Sequence, residues 1–155
     1  MARTLTAVEA ESFLAETRVA VLSVATDGAR PPLTVPVWYA YRPGGEVTFF
    51  TGTQGRTARK TRLLERARAF SLCVQQTDYP YKYVTVECTL LRADRSPTFE
   101  EVTTIAGRFL PEADAHAFAQ AELADPTGTF TLFTARPDRW LSFDFAADDR
   151  RGDGG

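Results

Sequence analysis

Apolar and polar residues alternate in short runs along most of this chain, and Gly, Pro and Asp interrupt the runs at short intervals. The runs at 19–26, 33–41 and 46–52 are rich in β-formers. Asp27-Gly28 and Pro43-Gly44-Gly45 stop the first two, which is the pattern of an antiparallel meander. Longer strands are predicted over 70–76 and 81–93, and two closing strands over 129–137 and 139–145. Elsewhere the period lengthens. Thr6 and Glu9 have capping-box spacing, and Val8, Phe13 and Leu14 can share one face, which predicts a helix over 6–16. Residues 57–67 are helix formers with Leu63, Leu64 and Ala67 facing inward. Ser96-Pro97 reads as a helix start, with Ser as cap and Pro at the first position, ahead of Phe99, Val102, Ile105 and Ala106 at helical spacing. Leu110-Pro111 interrupts that helix, and 112–124 gives a further one. The order lacks the strand-helix-strand rhythm of a parallel sheet, so the expected class is mainly β: a closed antiparallel barrel with four to five short peripheral helices.

Composition narrows what such a barrel can do. With 155 residues, 44% of them hydrophobic, the chain is long enough for one domain, placed over 1–147. Residues 148–155 have no apolar face and read as a disordered tail. Eighteen basic residues against 20 acidic ones exclude a whole-molecule field for nucleic acid or an anionic membrane. An anion site would have to be local. Cys73 and Cys88 lie in apolar runs without metal or CxxC spacing, and the N-terminal segment lacks the apolar run of a signal peptide. The expectation is reduced thiols, a cytoplasmic location and no metal.

Arg56, Thr57, Arg59, Lys60, Thr61 and Arg62 compress cations and hydroxyls into the start of a predicted helix, where free backbone amides already favour an anion. The preceding strand ends in Thr51-Gly52-Thr53, small residues that let a phosphate approach the backbone. A solvated arginine face is the plainer alternative. Pro36, inside Val35-Pro36-Val37-Trp38-Tyr39, cannot donate to a ladder and so belongs at an edge or bulge, where freed amides could meet a flat heterocycle. An ordinary edge strand with a core Trp is the alternative there. Tyr79-Pro80-Tyr81-Lys82-Tyr83 could stack on a planar ring or pack at a subunit interface. His116, the one histidine, has no carboxylate or serine in a recognisable relation, and no hydrolytic motif, GxGxxG or P-loop is present. Chemistry supplied by a cofactor is what remains.

Thr34-Val35-Pro36-Val37-Trp38-Tyr39, Val47-Thr48-Phe49-Phe50-Thr51, Arg59-Lys60-Thr61-Arg62-Leu63-Leu64 and Phe70-Ser71-Leu72-Cys73-Val74 stand in an order and spacing that resembles the pyridoxamine 5'-phosphate oxidase-like split-barrel family. Gly107-Arg108-Phe109-Leu110 and Arg136-Pro137-Asp138-Arg139-Trp140 extend the resemblance over most of the chain. It implies a six-stranded Greek-key barrel and a homodimer with FMN or the deazaflavin coenzyme F420 at the interface. It also implies a flavin- or deazaflavin-dependent oxidoreductase acting on a small organic substrate by hydride transfer. Lys60 matches the family's phosphate-contacting lysine, with Arg62 two residues on. Pro36, Val37 and Trp38 match the strand beside the ring, and Tyr81, Tyr83 and Trp140 match aromatics that cover it from the opposite subunit. Two other activities stay open: storage or sensing of the same cofactor without turnover, and haem binding or degradation with His116 as the available axial ligand.

Overall fold

The computed structural model describes residues 2–51, 58–126 and 128–146. Gly52, Thr53, Arg56, Thr57 and the expected tail lie outside them. The element order is α1 (Ala7–Ala15), β1 (Ala20–Val24), β2 (Leu33–Val37), β3 (Tyr39–Tyr41), β4 (Val47–Thr51), α2 (Ala58–Ala67), β5 (Ala69–Gln76), β6 (Lys82–Asp94), α3 (Phe99–Ala106), α4 (Glu112–Leu123) and β7 (Thr131–Asp144). All seven strands join one antiparallel sheet in the order β2-β1-β5-β6-β7-β4-β3.

This differs from the expected closed six-stranded barrel. The described residues form seven strands, and the ladder is open, because β2 and β3 lie at its two edges without pairing to each other. They are nevertheless one run of chain. Burial alternates without a break from Val35 to Tyr41, as a single strand would, yet the hydrogen-bond partner changes at Trp38. Ala20 faces Val37 on one side of that switch, and Tyr39 faces Phe49 on the other. Pro36 falls on the edge strand, opposite Val21, where a missing amide costs no second ladder bond.

The two closing strands are one. β7 runs through Pro137 because the register skips Asp138 between Glu87↔Arg139 and Cys88↔Pro137, a bulge that accommodates a residue without an amide. The start of α3 also differs from expectation: Thr98, not Ser96, is the cap. Its Oγ1 accepts from Glu101 N at 3.1 Å while Glu101 Oε1 accepts from Thr98 N at 2.9 Å, satisfying two amides where a proline could satisfy neither. In α1 the capping box forms as read, but Val8 is exposed and Ala10 joins Phe13 and Leu14 in the buried face. The described helices number four.

The core lies between the curled layers of the sheet. Phe49 stacks on Phe133 at 5.2 Å and meets Phe70 edge-on at 5.2 Å. Leu63 and Leu64 close one end from α2, and Phe13 and Leu14 close another from α1. Tyr39, fully buried, donates its hydroxyl to Leu14 O at 2.6 Å, which fixes the last turn of α1 to the partner-switching strand. Burial pushes this phenol up to about 12, so it remains a donor across the working pH range. Arg108, just after α3, donates to Tyr39 O at 2.6 Å and to Ala15 O at 2.9 Å. One guanidinium thus joins the helical hairpin, β3 and the end of α1.

Tyr39→Phe keeps the ring and strands the Leu14 carbonyl in the core. A loss of about 1–2 kcal/mol is expected in urea unfolding, with the native far-ultraviolet spectrum unchanged.

Candidate functional site

The partner switch at Trp38 places a cavity of about 250 Å³ at the sheet's split edge, lined by Val19, Pro36, Val37, Trp38, Phe50, Thr51, Lys60 and Phe118. Each element contributes for a local reason. Pro36 and Val37 come from the edge strand β2, and Phe50 and Thr51 from the end of β4. Lys60 comes from the first turn of α2, anchored behind by the buried Thr51 Oγ1–Thr61 Oγ1 hydrogen bond of 3.2 Å. Phe118 comes down from α4.

The residues lining the cavity are of two kinds. Lys60 is half-buried, and burial holds its ammonium below the usual lysine value. Among the described residues no carboxylate pairs with it. A cation in that position gains from an anionic guest what it has lost in hydration. Three of the others are aromatic, Trp38, Phe50 and Phe118. Trp38 stacks on Phe109 with centroids 5.3 Å apart and planes 6° from parallel. Phe118 leans on Trp38 at 5.7 Å and on Phe50 at 5.5 Å, and Phe50 packs on Phe130 at 5.1 Å. An unpartnered cation, flat aromatic walls and an edge strand with unpaired backbone groups suit a molecule that carries both a phosphate and a planar ring.

Of the residues singled out in the sequence, Pro36, Val37, Trp38, Thr51 and Lys60 line this one cavity. Val35 is half-buried and packs against the main core. Arg59 is half-buried beside Lys60 and outside the lining. Arg56 and Thr57 lie outside the described residues. Arg62 faces a different hollow with Thr61, Glu65, Arg95 and Thr129. Other arginines of α2 and its end are engaged: Arg66 pairs with Asp27, and Arg68 donates to Leu90 O at 3.2 Å. Tyr81 and Tyr83 line a separate surface hollow with Lys82 and Phe145. Trp140 packs on Tyr41 at 5.9 Å, against the main core. His116 is exposed on α4, edge-on to Phe99 at 5.3 Å.

Val19, Phe50 and Phe118 were not read from the sequence. Phe50 carried a signal, since it alternates with the buried Val47, Phe49 and Thr51 positions and so had to face away from the core. Phe118 stands alone among alanines, and a helix with so little amphipathic pattern does not say which side it docks. Cys73 and Cys88 are free thiols. Among the described residues there is no metal-binding cluster, and no helix is long and apolar enough to cross a membrane.

An antiparallel sheet split at one strand, with a cation and an aromatic wall at the split, defines the class. Its fold is that of the pyridoxamine 5'-phosphate oxidase-like split barrels. The chain is similar to an F420 reductase at a TM-score of 0.64 and 21% identity, over 84% of this chain and 94% of that one. It is similar to a FAD-binding protein of Mesorhizobium loti at a TM-score of 0.59 and 20% identity, over 93% and 96%. A conserved hypothetical protein of Mycobacterium tuberculosis aligns at a TM-score of 0.67 and 16% identity, over 91% and 86%. No protein-family model matches the sequence. A 56-residue stretch is 36% identical to ribosome maturation factor RimM of Thermosynechococcus vestitus, covering 36% of this chain and about a third (31%) of that curated relative.

Phe109→Leu removes the ring stacked on Trp38. It is expected to cost about 0.5–1.5 kcal/mol beyond the lost burial and to shift Trp38 fluorescence to longer wavelength as the indole loosens, read against a Trp38→Phe control.

Proposed function

We propose that the chain is a flavin- or deazaflavin-dependent oxidoreductase that holds FMN or coenzyme F420 by its phosphate at Lys60 and exchanges hydride with a small organic substrate. The observation that carries this reading is the half-buried Lys60 ammonium, unpaired among the described residues, in the same cavity as Trp38 and the proline-bearing edge strand. Similarity in fold to an F420 reductase and a FAD-binding protein supports the same class of guest. A bound flavin or deazaflavin supplies the two-electron chemistry. The chain's share is position and charge. Lys60, with Arg59 beside it and Arg56 and Thr57 ahead of it in sequence, holds the phosphate. Thr51 fixes the helix start against the strand end, and backbone amides near Val37 polarise the ring.

The assembly we propose is a homodimer in the cytoplasm, formed through the outer face of the sheet. Val21, Cys73, Thr85 and Leu141 stand in one row across β1, β5, β6 and β7. In the neighbouring row Tyr83 faces Phe143, with the rings stacked at 6.4 Å. Val19, Val21, Tyr79, Tyr81, Leu141, Phe143 and Phe145 are all exposed, and so many large apolar side chains left in solvent mark an interaction surface. It reaches the cavity at Val19 and Pro36, so a partner seated there would bring Tyr81 and Tyr83 near the second copy's ring. Trp140 lies on the opposite side of β7 from Leu141 and Phe143.

Titration of the cofactor-free protein with FMN and with F420 tests the anchor. Lys60→Ala is expected to weaken whichever binds by at least tenfold, and unchanged affinity for both would remove the assignment. The pH dependence has a definite sign. Above pH 7 the phosphate ester is fully charged, so affinity tracks the protonated form of Lys60. It falls as pH rises through a lysine value that burial has lowered from 10.5. Lys60→Arg, which stays charged, flattens that fall. A cofactor that binds but is never reduced by a nicotinamide donor, nor oxidised by any acceptor, would favour the storage or sensing alternative.

Sedimentation tests the interface. Leu141→Arg places a charge at the β7 end of that row, beside the exposed Phe143, and is expected to turn a dimer into a monomer, with the melting temperature of the fold retained.

A further inference from the structure

One half-buried cation supports the cavity without lining it. Arg108 is not among the lining residues, and among the described residues no carboxylate pairs with its guanidinium. It donates to two backbone oxygens instead, from Nη1 to Tyr39 O at 2.6 Å and from Nη2 to Ala15 O at 2.9 Å. Ala15 ends α1, where the last carbonyls have no partner within the helix. Tyr39 O belongs to the edge strand β3, one residue beyond Trp38. A planar guanidinium fork can span two acceptors in this way, whereas a lysine ammonium is a single point.

The turn that carries Arg108 is fixed at each amide. Gly107 N donates to Thr103 O at 2.8 Å, Arg108 N to Ile105 O at 3.1 Å, Phe109 N to Ala106 O at 3.0 Å and Leu110 N to Ala106 O at 2.9 Å. A Cβ at 107 would lie 2.8 Å from Thr103 O, which is why glycine makes this turn. Arg108 and Phe109 are thereby held to each other. Phe109 is the ring stacked on Trp38, 5.3 Å away and 6° from parallel. The Arg108 guanidinium lies 5.9 Å from the Phe109 ring and 5.1 Å from that of Tyr39. Trp38, which lines the cavity, is therefore restrained twice by one side chain. Its backbone neighbour is tied at Tyr39 O, and the ring behind it belongs to the turn that Arg108 ties down.

We infer that Arg108 is a positioning residue of the cavity: by joining Tyr39 O to the turn that carries Phe109, it fixes the Trp38 indole in the cavity wall, and cofactor affinity depends on it although it touches no cofactor. Its effect on affinity rests on the cofactor reading above; its hold on Trp38 does not. Supports that lie behind a lining residue matter in this way because a recognition surface is only as precise as the shell that fixes its rotamers.

The test uses full-length protein carrying Trp140→Phe, which leaves Trp38 as the sole tryptophan of the two in the chain. Arg108→Lys keeps the charge and reaches one carbonyl, and Arg108→Gln keeps a donor without the charge. In the cofactor-free protein both are expected to raise the acrylamide quenching constant of Trp38 at least twofold. Affinity is measured for FMN and for F420, and whichever binds is expected to weaken at least fivefold in both variants. In a protein that also carries Trp38→Leu the same substitutions should cost less than twofold, because the indole they position is gone. Thermal melts establish folding. If only one variant folds, it carries the readings; if neither does, Arg108 is a structural residue only and the inference is overturned. A folded variant with wild-type quenching or wild-type affinity also overturns it. So does an affinity loss that is the same with and without Trp38, which would make Arg108 act by its charge or by contact. A wild-type protein that binds neither FMN nor F420 removes the cofactor reading. Raised quenching in its variants then keeps Arg108 as the residue that holds Trp38, and unchanged quenching removes both.

Discussion

Everything in this molecule depends on one run of chain, Leu33 to Tyr41, changing its hydrogen-bond partner at Trp38. The run pairs with β1 up to Val37 and with β4 from Tyr39, so the two edges of a seven-stranded ladder are consecutive pieces of one strand. The sheet curls upon itself through a covalent link in place of a ladder. Val37 and Tyr39 both point inward and hold the core continuous across the split. Trp38, between them, is left to face outward at the one place where the ladder has a gap.

That gap is filled from outside by helices. Phe109 stacks on Trp38, Phe118 leans on it, and Arg108 spans from the hairpin to Tyr39 O and Ala15 O. Tyr39 passes the restraint on to the end of α1 through Leu14 O. The site is therefore built on positions that the fold already has to fix. The cavity wall shares its residues with the contacts that hold the hairpin on the barrel, and rigid supports of this kind are what precise recognition needs. Lys60 reaches the same space from α2, a helix whose Leu63 and Leu64 are buried in the main core.

Much of this was legible in the sequence because it is local. The alternation of 33–41, the capping box at Thr6 and Glu9, the inward Leu63 and Leu64, and the edge position of Pro36 all follow from period, cap chemistry and a missing amide. The cationic cluster at a helix start, one lysine among arginines, could be read for the same reason. The misreadings share a different cause. Unbroken alternation in 33–41 could not announce a change of partner, since side-chain period is blind to which strand lies alongside. Pro137 looked like a strand end because the bulge that accommodates it is made by the register with β6. Ser96-Pro97 looked like a cap because the competing box at Thr98 and Glu101 begins two residues later.

A mainly β chain with peripheral helices, a balanced charge and a dense cationic segment at the start of the second helix can all be read without coordinates. Each of these is a property of neighbours along the chain. Which of those cations faces a cavity depends on how the helix packs against the sheet. Lys60 does, Arg62 turns to another hollow, and Arg66 is taken by Asp27. Packing between distant segments likewise puts Val19, Phe50 and Phe118 around the same cavity as Trp38, from three separate stretches of chain. Burial and desolvation, which distinguish one lysine from five neighbouring arginines and one phenylalanine from ten others, arise from contacts between segments far apart in the chain.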